Sequence, residues 1–429
     1  MQITKKSISS TKVELTLVAD QEQLDSAKKT VLERLGKDVS LAGFRKGHAP
    51  AAMVEKSVDQ NLLNQQVIDA VVNELFLAAV TQEKLRVVGQ PALELTKFVP
   101  FTALEAKAVV DVVGQIKLAD YKKFSFKLHK QKATKEDVQS VLDDLIARDA
   151  ERKEVDRAAK NDDEVLISFA GKDAKTGDPI EGGKGDKYPL VLGSNTFIPG
   201  FEPELLGLKK GDDKTFTVTF PKDYGAKDLQ NRKVTFDVDV LEVREVVKPV
   251  ADDAWASKLG PFKTLEELKA DIERQVQSEK DAQSARALEN EILTALADKS
   301  KVEVPDALVS DEMQRMEQEE RQNLMYRGVT WPEHVKTSGK NEDEYRTSVY
   351  GEEAKRRVKT GLALGEVAEA EGVTVSEAEL NARMELLKAQ YNDPQMQEEL
   401  TKPEVRRDIS SRILTEKTIQ KLVDYAVKK

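Results

Sequence analysis

Gly193-Ser194-Asn195-Thr196-Phe197-Ile198-Pro199-Gly200-Phe201-Glu202 sets two phenylalanines, an isoleucine and a proline between glycines, and its neighbours decide what it belongs to. Ile180-Glu181-Gly182-Gly183 precedes it and Leu206-Gly207-Leu208-Lys209-Lys210-Gly211 follows. Further outward, Val165, Ile167 and Phe169 occupy every second position, as do Phe216, Val218 and Phe220, and again Val234, Phe236, Val238 and Val240. A period of two with turn residues between the runs specifies short antiparallel strands. Residues 150–246 therefore read as a small, mainly antiparallel β domain.

The flanks have a different character. Val13, Leu15, Leu17 and Ala19 alternate as a strand, and Leu24, Ala27, Val31, Leu32 and Leu35 form a helical stripe stopped at Gly36. A second helical stretch, about 52–80, carries Leu63, Val67, Ala70, Val71, Leu75 and Ala78, and Leu104 to Val112 alternates as a closing strand. This makes an α+β domain of residues 1–114. Between its helices lies Gly43-Phe44-Arg45-Lys46-Gly47-His48-Ala49-Pro50, a loop by its glycines and proline. It is either an ordinary turn whose phenylalanine packs inward or an exposed tip, with Arg45 and Lys46 for phosphates and Phe44 for apolar contact. Residues 115–149 connect, with Val138, Val141, Leu142, Leu145 and Ile146 on one helix. Residues 247–429 are all-α, with helices expected at about 264–299, 306–327, 341–371, 376–391 and 404–427 and with Pro305 and Pro403 near helix starts. Met313, Met316, Met325, Met384 and Met396 there are either core filler or an adaptable binding surface.

Composition narrows the chemistry. At 429 residues the chain exceeds one core, and 34% charged against 5% aromatic residues suits long helices with wide solvated faces. A net charge of −10 excludes nucleic-acid binding by overall field, so any RNA contact must be local. The chain has no cysteine, which removes disulfides, thiolate metal sites and cysteine nucleophiles. His48, His129 and His334 stand in no metal-ligand spacing, and no nucleotide-binding Gly-x-x-x-x-Gly-Lys-Ser/Thr occurs, so neither cofactor nor ATP is expected. Met1 to Lys6 lead into no apolar run of signal-peptide length, and no stretch reaches the ~18 apolar residues of a membrane span. A cytoplasmic location without membrane contact is the expectation.

The β domain resembles the FKBP family of prolyl isomerases. The resemblance rests on Ile198-Pro199-Gly200-Phe201-Glu202, on Gly207 and Gly211, and on Phe220-Pro221-Lys222-Asp223-Tyr224-Gly225, and it covers about 95 residues. It implies rotation about X-Pro bonds without acid, base or nucleophile. Peptide resonance imposes a barrier of ~18–20 kcal/mol, and X-Pro isomers interconvert in tens to hundreds of seconds. Resonance charges the carbonyl oxygen, so an apolar pocket disfavours the planar amide and favours the twisted one, which is catalysis by differential binding. By position in the resemblance, Phe169, Ile180, Tyr188, Phe197, Ile198, Phe201, Tyr224 and Phe236 would line that pocket, Phe169 and Phe236 also filling core. The family often has tryptophan at Phe201 and an aromatic at Ile180. Asp173 and Asp178 are further candidates for a positioning role.

An FKBP-like domain preceded by Gly-Phe-Arg-x-Gly-x-x-Pro and followed by a long helical region resembles the bacterial trigger factor family over essentially the whole chain. Val304-Pro305-Asp306-Ala307-Leu308-Val309 is similar to that family's helix-entry string. The resemblance implies a multidomain α+β chaperone. Its α+β domain would dock on the ribosome near the nascent-chain exit, through protein and rRNA contacts made by Phe44, Arg45 and Lys46. It also implies a discontinuous all-α domain, residues 115–149 with 247–429, that cradles unfolded nascent polypeptides, and a homodimer off the ribosome. His48 stands where the family commonly has lysine, which implies weaker or more pH-dependent docking. Two other readings are an isomerase with scaffolding flanks and a non-catalytic module that grips proline segments; neither gives the Phe44 loop a task.

Overall fold

The computed structural model describes residues 2–37, 39, 44, 45, 48, 50–226, 229–390 and 393–427. The chain forms two compact units, one of residues 1–129 with 285–429 and one of residues 130–284.

The first unit opens with β1 (Gln2–Ser7), β2 (Lys12–Val18), α1 (Gln21–Gly36), α2 (Ala51–Ser57), α3 (Gln60–Gln82), β3 (Val87–Val99) and β4 (Ala103–Val112). The strands form an antiparallel sheet in the order β1-β2-β4-β3. Leu15 faces Ala108 and Leu17 faces Ala106, and all four are buried. Leu24 and Val31 of α1 and Leu63, Val67, Val71 and Leu75 of α3 cover that face, while the alternate residues stay wetter, as a one-sided sheet requires. Asp20 starts α1 with a reciprocal capping box to Gln23. The expected stop at Gly36 is met, though not by a left-handed turn. A Cβ there would lie 3.3 Å from Val54 Cγ2, so the bare backbone lets α2 close on α1. The single helix expected over 52–80 is two. The chain breaks at Val58, and Asp59 caps the new start by accepting from the N–H groups of Asn61 and Leu62.

The second unit holds α4 (Lys135–Asp149), β5 (Glu151–Glu154), β6 (Glu164–Asp173), β7 (Pro179–Val191), α5 (Phe201–Leu205), β8 (Asp213–Thr219), β9 (Lys233–Val247), α6 (Asp253–Leu259) and the start of α7 (Leu265–Lys299). The long strand β9 pairs with β6 on one edge and with β5 and β8 on the other, and β7 lies beyond β6; every pairing is antiparallel. Val165, Ile167, Leu190, Phe201, Val234, Phe236, Val238 and Val240 form its core. Leu142 of α4 packs with Trp255 and Ala256 of α6 and with Leu268 and Ile272 of α7.

The remaining helices belong to the first unit: α8 (Asp306–Tyr326), α9 (Trp331–Thr337), α10 (Glu342–Ala370), α11 (Glu377–Gln390), α12 (Pro394–Glu399) and α13 (Pro403–Val427). Residues 117–128 return among them. Tyr121 and Phe124 are buried with Leu288, Ile292 and Leu296 of α7, Leu364 and Val367 of α10, and Leu422 and Ala426 of α13. Glu371, the C-cap of α10, accepts from the hydroxyls of Tyr121 (2.7 Å) and Tyr425 (2.8 Å). It also pairs with Lys122 at 2.8 Å and Lys421 at 3.1 Å. Its bond to Lys122, with the two tyrosines adding, holds this carboxyl well below the usual range. No helix among the described residues is long and apolar enough to cross a membrane.

Candidate functional site in the second unit

A cavity of about 480 Å³ opens in the β domain. Three pieces of chain build it. Strands supply Phe169, Ile180, Gly182, Gly183 and Phe236, the quoted stretch supplies Thr196, Phe197, Ile198 and Pro199, and the segment after β8 supplies Phe220, Pro221, Tyr224, Ala226 and Leu229. Phe169 sits where β6 and β7 slip out of simple register, opposite Gly185. A Cβ on Gly185 would come within 2.5 Å of the Phe169 ring, so only glycine lets that ring lie on the β7 backbone.

The rings form a connected set. Phe197 lies 5.5 Å from Phe169 and 4.6 Å from Phe201 between centroids. Phe201 in turn meets Phe216 at 5.0 Å and Phe236 at 5.2 Å edge to face, the favoured aromatic arrangement. Phe220 and Tyr224 pack edge-on at 4.7 Å across the cavity's third side. Gln230 holds that side by donating to the Tyr224 carbonyl at 2.8 Å.

Six of the eight residues expected to line the pocket stand on its wall: Phe169, Ile180, Phe197, Ile198, Tyr224 and Phe236. The other two lie off it. Phe201 is fully buried beneath the wall as a floor on which four rings rest. Tyr188 is 44% exposed, beside Phe197 at 5.3 Å, just after a bulge in which two residues of β7, Asp186 and Lys187, oppose the single Ser168 of β6. The wall also includes Ala226 and Leu229, and Phe220 and Pro221, which open the string that contains Tyr224. Among the described residues the wall carries no carboxylate, imidazole or amine.

Carboxylates stand behind the wall. Glu202 is 6% exposed and accepts from the N–H groups of Gly193 (2.8 Å), Asn195 (3.1 Å) and Phe197 (3.2 Å) and from the Ser194 hydroxyl (3.3 Å). Burial opposes its charge, yet these donors outweigh it and the carboxyl titrates below its ordinary value. Asp178 is exposed and off the wall. Asp173 closes the turn after β6, accepting from the N–H groups of Thr176 and Lys175 and from Arg232. The Thr176 and Lys175 bonds, then Arg232, lower its carboxyl to about 2. With the unfolded value near ~3.9, its stabilisation is complete above that pH and is lost as pH falls toward the folded value. Asp173→Asn should therefore abolish the loss of hydrogen-exchange protection at the Lys175 and Thr176 amides between about pH 4 and 2. An unchanged acid profile in the variant would reassign the effect.

In the other unit, Phe44 is 39% exposed and Arg45 is exposed, with the His48 N–H donating to the Arg45 carbonyl at 3.0 Å. Lys46 lies outside the described residues. The inward-packed reading of Phe44 is thus not what the structure places there. Among the C-terminal methionines, Met384 is buried, Met313 and Met316 pack against a core cluster, and Met325 and Met396 are 71% and 44% exposed. Among the described residues, no group of three or more His, Cys, Asp or Glu side chains is placed to hold a metal ion.

The antiparallel sheet with its short helix α5 and an aromatic cavity lined by strand and loop residues defines an FKBP-type domain inserted in a larger α+β chain. The model of the FKBP-type peptidyl-prolyl cis-trans isomerase family matches residues 155–241. Models of the bacterial trigger factor protein and of its C-terminus match residues 1–145 and 264–424. The trigger factor of Carboxydothermus hydrogenoformans is 32% identical over 429 residues, 99% of each chain. That of Geobacillus thermodenitrificans is 33% identical over 381 residues, 88% of each. A solved structure described as "Promiscuous Substrate Recognition in Folding and Assembly Activities of the Trigger Factor Chaperone" aligns with 99% of each chain at 19% identity, with a TM-score of 0.47. The chain belongs to the trigger factor family.

Proposed function

We propose that this chain is a cytoplasmic, ATP-independent chaperone that docks on the ribosome near the nascent-chain exit, holds unfolded nascent polypeptides and isomerises X-Pro bonds. Residues 1–114 dock, residues 150–246 isomerise, and residues 247–429 with the linker 115–149 hold clients. A second copy of the chain is its partner off the ribosome.

The observation that carries the reading is the cavity: aromatic, large enough for a prolyl side chain and its neighbours, and free of ionisable groups on the described wall apart from the Tyr224 phenol. Such a wall suits a reaction whose transition state is less polar than its ground state. Exposed apolar side chains in the helical region, Met325, Tyr326 (88%), Val349, Leu386 (64%) and Met396, support client holding through many weak contacts. The test uses the full chain without ATP, on a short X-Pro peptide and on a proline-free client that aggregates. Acceleration of isomerisation and suppression of aggregation are both expected. Isomerisation without suppression leaves a free enzyme, and no acceleration at saturating protein leaves a proline-gripping module.

A further inference from the structure

We infer that Glu202 is the positioning residue of the prolyl site, its buried carboxylate setting the loop that carries one wall of the cavity. The inference rests on the isomerase reading above.

The loop's few local hydrogen bonds, such as the one between the Ser194 and Thr196 hydroxyls, leave three of its N–H groups to a single side chain. The N–H groups of Gly193, Asn195 and Phe197 and the hydroxyl of Ser194 all converge on one point, which the Glu202 carboxylate fills. Gly193 and Asn195 are both left-handed, with φ of +90° and +54°, and the second is unfavourable for a residue with a side chain. A ring of inward N–H groups is a nest for an anion; without the buried Glu202 carboxylate these donors of an otherwise exposed loop would lose the acceptor that ties them to the domain. Among the described residues no lysine, arginine or histidine pairs with Glu202, so backbone and hydroxyl dipoles alone balance its charge. An acid serving only to fill this space would be replaced by leucine without loss, whereas these donors require an acceptor.

The nest and the wall are one piece of chain. Phe197, whose N–H donates to Glu202, also puts its ring on the cavity, and Thr196, Ile198 and Pro199 beside it line the same wall. Displacing the loop therefore moves four lining residues together. Catalysis that depends on the fit of an apolar wall to a twisted amide loses rate steeply with displacements of about 1 Å.

The test compares the full chain with Glu202→Gln, which keeps volume but offers one acceptor oxygen and confronts the N–H groups with an NH2. We expect kcat/KM on an X-Pro tetrapeptide to fall at least tenfold through kcat, and the Gly193, Asn195 and Phe197 amides to exchange faster, while β9 amides keep their protection. Glu202→Ala should lose activity similarly and regain part of it in formate, whose carboxylate can occupy the nest, but not in equal chloride. Wild-type activity in Glu202→Gln, or no formate rescue in a folded Glu202→Ala, overturns this inference and leaves the isomerase reading standing. A wild-type chain that does not accelerate isomerisation overturns both.

Discussion

Phe197→Ala in the full chain should lower kcat/KM for an X-Pro tetrapeptide by about a hundredfold, equivalent to ~2.7 kcal/mol of transition-state stabilisation. The ring is half-buried, touches Phe169, Tyr188 and Phe201, and forms part of the cavity wall. Removing it admits water to the carbonyl that must lose its charge separation, so the planar ground state regains the solvation the wall withholds. Large-to-small changes in fully buried aromatic sites cost ~3–5 kcal/mol of stability; at this half-buried site the loss should be smaller, and the fold should survive. Tyr224→Ala, at an exposed position on the opposite side, provides the control for folding and should also reduce the rate. A stopped-flow assay that finds both variants as fast as the wild type would remove the cavity from the mechanism.

Where the structure puts the eight candidate lining residues follows from the kind of position each holds. Phe236 lies in a run of β9 whose alternation is regular, so its inward side agrees with period two, whereas Phe169 lies beside a register shift and its place on the wall rests on the family resemblance. Ile198 adjoins Pro199, and Tyr224 closes the string that begins Phe220-Pro221, so both sit in strings with strong local identity. Phe201 lies at the start of a five-residue helix, where one turn cannot show which side faces the core. Tyr188 follows a bulge with Lys187 at φ +52°, and a bulge re-aims side chains in a way no periodicity reports. Glu202 was legible as a residue but not as an acceptor for four donors, because those donors are mostly backbone.

The fold divides similarly. Helices α7, α8, α10, α11 and α13 begin and end within one residue of the expected bounds, and Pro305 and Pro403 stand at the starts of α8 and α13. Strand β3 gave no signal. It is an edge strand, exposed along most of its length, with Pro91 inside it and register shifts at Val88/Ala92 and Leu95/Lys97. Helices α6, α9 and α12 have six or seven residues, too few for a helical period to show. The break at Val58 was hidden because α2 and α3 both present apolar residues to the same core, and only the Asp59 cap separates them.

Phe44→Ala/Arg45→Ala/Lys46→Ala should abolish co-sedimentation with ribosomes, lowering apparent affinity at least tenfold while leaving X-Pro isomerisation unchanged. The chain carries a net charge of −10, so the ribosome's phosphate field repels it as a whole and a local cationic tip must supply the attraction. Phe44 and Arg45 are exposed, and truncating them opens no core. If Arg45 and Lys46 each meet one phosphate, the magnitude of the slope of log K against log salt should fall by about 1.4–1.8. Phe44→Ala alone should weaken binding at every salt concentration without changing that slope, which separates the apolar contact from the ionic ones. A triple variant that sediments like the wild type would place docking elsewhere on the chain. If neither protein sediments, the ribosome is not the partner, and the isomerase must find its substrates free in solution.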